Sequence, residues 1–411
     1  MSRAHPGPVP AASVAVGTGG PSRLPLIALC ITEITSWGVL YYAFPVLSSA
    51  ITADTGWSAP SITAAFSASL VVAALVGIPV GRLLDRHGPR ALMTGGSALA
   101  AGSVLLLAAA PNLALFTLAW LLAGIAQAAV LYQPAFAALV RYYAPRHLSA
   151  LTSLTLVAGL ASTVFAPLTD ALAAQLTWRH TYLVLAAVLA LVTVPLHALA
   201  LHRPWPPAPA PARSTPGRTV SEIVRGRAFL LLTAALTLST FAMYAVMTNL
   251  IPLLTSRGSS ATLAAWALGL GGVGQVAGRL GYGLLARHTT VGSRTLWILA
   301  LSAATIAALA IVPGPIALLV AISVFSGTTR GIATLLQATA VSDRWGTTAY
   351  GALSGILAAP VTIAGALAPW AGAALAASLG GYPALFAALA TAALLAALLA
   401  AGSTPAEPVK P

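Results

Sequence analysis

The chain has 411 residues, of which 58% are apolar and only 7% charged, where a soluble globular protein carries roughly 25% charged residues. A soluble fold cannot hide that much apolar surface, whereas a bilayer accepts it as solvent. The net charge of +13 does not indicate nucleic acid, because the basic residues sit in short breaks between apolar runs and form no stripe or groove.

Residues 1–22, rich in Pro, Gly and small side chains, are expected to form a disordered tail. They are too long and too weakly basic for a signal n-region, and the run after them exceeds a signal core, so that run is expected to stay as a helix. Apolar runs then follow at 24–50, 60–80, 91–110, 113–140, 148–172, 180–202, 228–254, 262–285, 294–312, 315–341, 348–376 and 382–402. A helix of about 20 residues crosses the hydrocarbon core, so twelve spans are predicted. The single cysteine, Cys30, lies in the first of them, which excludes a disulfide framework or a cysteine zinc site.

The arginines give the orientation. With the N-terminus inside, the cytoplasmic breaks and tails hold sixteen of the twenty basic residues, the outward breaks hold Arg179 and Arg257, and Arg279 and Arg330 fall inside spans. Sixteen against two is a strong positive-inside bias, and both termini are expected in the cytoplasm. The longest polar break, Arg203 to Arg227, is rich in alternating prolines, which remove backbone donors and forbid helix. The chain thus divides into the tail 1–22, a six-span half at 23–202, a linker at 203–227, a second six-span half at 228–402 and a tail at 403–411. Faint repetition supports the division: Trp178 and Tyr182 after the fifth span are echoed by Tyr382 and Phe386 after the eleventh, with Pro167 and Pro369 before them. Two six-helix halves with a binding site between them at mid-membrane is a transporter plan.

Between the second and third spans the chain reads Gly81-Arg82-Leu83-Leu84-Asp85-Arg86-His87-Gly88-Pro89-Arg90. Gly81 allows close helix approach and Gly88 a tight turn. Asp85 can face a helix N-terminus or an arginine, while Arg86 and Arg90 stay at the surface. This stretch resembles the cytoplasmic loop motif of the major facilitator superfamily. The resemblance implies an all-α membrane fold of twelve transmembrane helices in two pseudo-symmetric halves, and a role for the motif as a latch between them. The matching place in the second half, Gly283 to Arg287, lacks the acid.

Tyr41-Tyr42-Ala43-Phe44-Pro45, Thr55-Gly56-Trp57-Ser58 and Arg141-Tyr142-Tyr143-Ala144-Pro145-Arg146 are similar to the monocarboxylate-porter-like branch and its bacterial relatives. So is Gln275-Val276-Ala277-Gly278-Arg279, where the branch's arginine meets a substrate carboxylate. The sequence departs from the branch at Val46, where animal members carry lysine, and at Gln275, where an acid is usual. The fourth span, reading Ala119-Trp120-Leu121-Leu122-Ala123-Gly124, lacks the arginine of the antiporter motif, which argues against a proton-coupled drug exporter. The resemblance implies a multi-pass protein of the bacterial inner (plasma) membrane, and a monomer is expected.

Charges inside a span cost about 2.5–3.5 kcal/mol on insertion scales, so they are normally buried in protein or water. Glu33 lies roughly 13 Å deep in the first span at 1.5 Å per residue. A carboxyl held from water can carry a proton at neutral pH; the alternative is a hydrogen bond to a neighbouring helix. Arg279 can bind an anion bidentately or snorkel to the headgroups; Gln275, one turn away, shares its face. Arg330 is too deep to snorkel, and its candidate partners are Glu33 or a substrate anion, in a site or a structural pair. Trp37, Tyr41 and Tyr42 are placed to line a cavity or to pack between helices. Tyr132 and Gln133 precede Pro134, which would free a carbonyl in the fourth span.

Gly269-Leu270-Gly271-Gly272-Val273-Gly274 matches a dinucleotide fingerprint but follows no strand; small residues for close helix packing explain it better. There is no metal-ligand histidine spacing, phosphate-binding lysine loop or nucleophile elbow in the sequence. The expected function is therefore secondary transport of a small solute, with no cofactor, metal, ATP or enzyme activity. Alternating-access transport of a proton-coupled monocarboxylate, or of another organic anion, leads. Arg279, Gln275, Arg330, Tyr41 and Tyr132 would bind it, Glu33 would carry the proton, and Gly81, Asp85, Arg86, Gly88 and Arg90 would form the latch. The alternatives are efflux of a neutral or hydrophobic compound, or a receptor or scaffold that kept the fold without turnover.

Overall fold

The computed structural model of the chain describes residues 23–143, 147–202, 204–205, 219–346 and 350–404, and of Asp85, His147, Leu148 and 350–352 only the backbone. The expectations for residues 1–22 and 405–411, for Arg203 and 206–218 of the linker, for Ala144 to Arg146 and for the Asp85 side chain lie outside what is described.

In hydrocarbon every backbone N–H and C=O must be answered within the segment, so apolar runs of this length can only become helices. Among the described residues twelve helices are long and apolar enough to cross a membrane: Leu24–Thr55, Ala59–Leu84, Pro89–Ala109, Leu113–Tyr142, Ser149–Ala173, Trp178–Ala200, Arg227–Ser256, Ala261–His288, Val291–Ile311, Ile316–Thr339, Leu353–Ser378 and Tyr382–Ala401. Their turns follow local chemistry. Thr55-Gly56-Trp57-Ser58 is a complete stop-and-start signal, with Gly56 at φ 72° ending the first span and the Ser58 hydroxyl accepting the Ser61 amide to begin the second. Asn112, Thr177 and Ser260 cap the fourth, sixth and eighth spans in the same way.

Most helix–helix packing falls within spans one to six and within spans seven to twelve, with spans two and eleven and spans five and eight touching across. Large apolar side chains such as Leu191, Leu280, Trp297 and Ile311 face outward, as a lipid-bathed surface requires. One end of the molecule carries the linker and the starts of the odd-numbered spans; it is called the linker end here, and the opposite one the far end. At the far end the halves meet. Span two touches span eleven, where the Trp370 amide donates to the Ser67 hydroxyl at 3.0 Å. Span five touches span eight, where the Thr163 hydroxyl donates to the Gly269 carbonyl at 2.8 Å.

The two arginines of the far end serve their own halves. Arg179 donates to the Ala108 and Ala110 carbonyls that finish the third span, and Arg257 to Leu309 and Ala310 at the end of the ninth. A cation on the carbonyl end of a helix satisfies unpaired acceptors and complements the macrodipole. At the linker end Arg344, buried, binds the Ala340 carbonyl, the Thr295 hydroxyl and both oxygens of Ser403, joining the ends of spans nine, ten and twelve. Burial pushes its guanidinium down to about 10, against a weaker upward pull from Asp343, which itself pairs with Arg294 at 2.5 Å.

Candidate functional site

Prolines shape the site by withholding amides. In the first span the helix widens into a π turn at Gly38–Tyr42. Its Ala43 amide answers the Gly38 carbonyl, and Pro45 in the α-helix that follows has no amide to return. The Leu40 carbonyl, inside the π turn, accepts the Gln127 side-chain amide at 3.2 Å. Gly38 lets the turn sit on Phe165, whose ring would be only 2.1 Å from a Cβ there. The fourth span breaks at Leu131, three residues before Pro134, and turns Tyr132 and Gln133 toward the space between the halves. The carbonyl freed by Pro134 is thus accompanied by a change of helix direction.

Glycines set the spacing of spans eight and ten. A Cβ at Gly274 would lie 2.2 Å from the Val324 carbonyl oxygen, one at Gly278 2.2 Å from that of Thr328, and one at Gly331 2.0 Å from that of Gln275. Backbone therefore lies on backbone, the small-residue packing read from the sequence. That contact puts Arg330 beside Gln275, and its Nη2 donates to Gln275 Oε1 at 3.0 Å. Of the candidate partners named from the sequence, Glu33 stands on the first span and makes no bond to Arg330.

Arg279 is 7% exposed and turned into the protein, so it does not snorkel. Its Nη1 donates to the Thr155 carbonyl of the fifth span, at the break around Gly159, where a Cβ would come within 3.0 Å of that nitrogen. Tyr132 lies beside the guanidinium. The Nε–H groups of Arg279 and Arg330 are both buried without a partner among the described residues.

These side chains surround two adjoining cavities. The smaller, about 70 Å³, is walled by Arg279, Arg330, Gln275, Tyr132, Tyr42 and Met247. The larger, about 260 Å³, is walled by Tyr41, Gln127, Gln133, Thr240 and Thr362 and runs toward the linker end as far as Gln337, near the end of the tenth span. Trp37, Met243, Tyr244 and Thr334 line both. The structure thus brings Arg279, Gln275, Arg330 and Tyr132 to one compartment and Tyr41 to the next. Trp37, Tyr41 and Tyr42, which the sequence left between cavity and packing, do both: Tyr41 meets Trp37, Tyr42 and Tyr244 at centroid distances of 5.6, 5.4 and 6.1 Å.

Glu33 is fully buried and lines neither cavity. Trp37, one turn on, faces its carboxyl without closing a hydrogen bond, and no other described group bonds to it. Its neighbour Thr32 is held by His197, which bridges spans one, three and six through Thr32 at 2.9 Å and Ser97 at 2.7 Å. The loop-motif residues stand apart, at the linker end. Gly88, at φ 80°, makes the predicted turn and carries Trp205 of the linker against it. Arg90 donates to the Ala198 carbonyl of its own half. Arg86 is exposed. Gly81 has open space where close approach was expected.

Tyr244, Gln127, Met243 and Gln337 were not anticipated. One signal for Tyr244 was available: it follows Tyr42 by 202 residues, the same interval that separates Gly81 from Gly283 in the two loop motifs. The repeat therefore places one tyrosine on each side of the cavity.

The profile of the family described as Major Facilitator Superfamily matches residues 29–355. Monocarboxylate transporter 13 of Bos taurus is 30% identical over 264 residues, 63% of this chain and 58% of the relative. Its counterpart in Rattus norvegicus is 28% identical over 263 residues with the same coverage. The match therefore spans little more than half of these relatives' length. Two solved structures of a bacterial homolog to the human lysosomal transporter Spinster, inward-facing and occupied or unoccupied, superpose with TM-scores of 0.68 and 0.69 at 16% and 14% identity. They cover 93% and 94% of this chain, and 94% and 95% of their own, and at such identity they speak for the fold.

Proposed function

The chain belongs to the Major Facilitator Superfamily, and from that premise we propose that it is a secondary transporter carrying a small organic anion, a monocarboxylate first among them, by alternating access. One observation carries the reading: two guanidiniums, that of buried Arg279 and that of half-buried Arg330, whose Nε is itself buried, wall the same small cavity, and no acidic side chain lines it among the described residues. Two cations without a counter-charge in a low-dielectric pocket favour an anionic occupant. The relatives named monocarboxylate transporter 13 support the same class.

The far end is sealed by the Ser67–Trp370 and Thr163–Gly269 contacts while the larger cavity runs to the linker end. With the linker end assigned to the cytoplasm by the arginine bias, this is an inward-open arrangement of a multi-pass protein in a bacterial inner membrane. The loop motif is then in its released state, which fits Arg90 bonding within its own half and the open space beside Gly81. Glu33, buried next to the aromatic wall, is the proton carrier of the cycle, loading from the cavity past Trp37.

The test is uptake into proteoliposomes holding a pH-sensitive dye, challenged with a panel of small carboxylates. Saturable acidification by at least one acid is expected, reduced at least tenfold in Arg279→Ala, with Glu33→Gln moving the acid without the proton. Uptake that is equal in wild type and Arg279→Ala would refute the anion site. Undiminished acidification in Glu33→Gln would remove Glu33 from the cycle.

A further inference from the structure

The hydrogen-bonding character of the two compartments differs, and the difference reads out a ligand. In the smaller one the fixed groups are donors. Arg279 and Arg330 have no acceptor atoms. Gln275 spends its oxygen on Arg330, which leaves its NH₂ as the free half of the amide. An end group that only accepts, and is negative, is complementary to that set.

In the larger compartment one acceptor is fixed just as firmly. Leu40 O is an acceptor, so the Gln127 amide must present nitrogen to it and cannot turn over. Its Oε1 is left buried with no partner, as is the Tyr41 hydroxyl on the same wall. No charged side chain lines this compartment among the described residues. A buried acceptor left unanswered is costly, and a site built around one discriminates strongly against ligands that cannot reach it.

Resting on the anion reading above, we infer that the substrate is a two-ended acid. Its carboxylate sits between Arg279 and Arg330, and a short chain joins it past Trp37 to an uncharged O–H or N–H group, a hydroxyl or primary amide, that donates to Gln127 Oε1. A second carboxylate at that end would set acceptor against acceptor. An ammonium would enter a pocket whose nearest fixed charges are two guanidiniums. A plain alkyl end would leave Gln127 Oε1 and the Tyr41 hydroxyl unanswered.

Isothermal titration of the purified full chain decides it, using sets of four- and six-carbon acids matched in length. Each set contains the alkyl acid, the ω-hydroxy acid, the ω-amide acid, the ω-ammonium acid and the dicarboxylate. The ω-hydroxy or ω-amide member of at least one set is expected to bind ten- to a hundredfold more tightly than the other three. Gln127→Leu should bring the affinities of the hydroxy and alkyl acids together. Arg279→Ala should weaken every member alike. Acids that bind through Arg279 without distinguishing their far ends would overturn this inference and leave the anion reading standing. Binding of no acid at all, or binding indifferent to Arg279→Ala, would overturn both. The ligand series needs only wild-type protein, so it remains decisive even if Gln127→Leu, which orphans the Leu40 carbonyl, fails to fold.

Discussion

Replacing Gly331 with alanine adds one methyl group where the tenth span rests on the eighth. That carbon would stand 2.0 Å from the Gln275 carbonyl oxygen and 2.9 Å from Gln275 Cα, backbone atoms that cannot rotate aside. Restoring ordinary contact requires the two helices to part by roughly 1.5 Å. The Arg330–Gln275 bond, 3.0 Å long and one residue away, would then stretch past hydrogen-bonding range. Overpacking of this kind costs about 1–3 kcal/mol, and a displacement of about 1 Å at a binding group can lower a rate about a hundredfold. The control is on the eighth span: Gly281 has nothing within 4 Å of its would-be Cβ. Alanine there should be neutral, or stabilising by up to about 1 kcal/mol through helix propensity. Thermal unfolding in detergent and initial uptake rates of the best-carried acid measure both effects. Gly331→Ala with wild-type uptake and stability, or Gly281→Ala doing equal damage, would refute the interlock as what sets the arginine's position.

Pro134→Ala restores an amide to the fourth span, so the break at Leu131 should close and carry Tyr132 off the small cavity. Affinity for the transported acid should fall about tenfold, the loss of about 1.4 kcal/mol of hydrogen bonding, while thermal stability holds or rises. Arg344→Lys keeps the charge but cannot fork to Thr295, Ala340 and Ser403 at once. The loss should be about 2–3 kcal/mol in thermal denaturation, with uptake per folded molecule unchanged. Because burial holds the Arg344 guanidinium down at about 10, below its ordinary 12.5, its folded form releases its proton more readily than the unfolded chain. The penalty for burying that charge is therefore present at neutral pH and relieved only as pH climbs through about 10.

All twelve spans were legible because a bilayer leaves a long apolar run no other option; the starts after the Ser58 and Ser260 caps lie within one residue of expectation, and the larger drift is at ends such as Thr55 and Leu84, where the helix runs on past its apolar stretch. Gln275 and Arg279 were legible because i, i+4 spacing on a helix is a local fact. The Arg330–Gln275 pair was not, since it depends on the register between two helices, fixed by glycines whose partners are backbone carbonyls. Gln127 was invisible for a related reason: it donates to a carbonyl inside a π turn, and a 3.6-residue period does not contain π turns. A Cβ at Gly81 would meet nothing within 4 Å, so the close approach expected there is not made.

The Leu40–Gln127 bond bears on how relatives should be compared. A homologue with the same glutamine but a first span kept in α register, without the widened turn, would carry that carbonyl away from the amide. Its glutamine would then be free to rotate and offer NH₂ to the cavity, reversing the polarity of that wall while every lining side chain stayed the same. Substrate preference would diverge between two proteins whose pocket residues align perfectly, and the cause would lie in the winding of one helical turn.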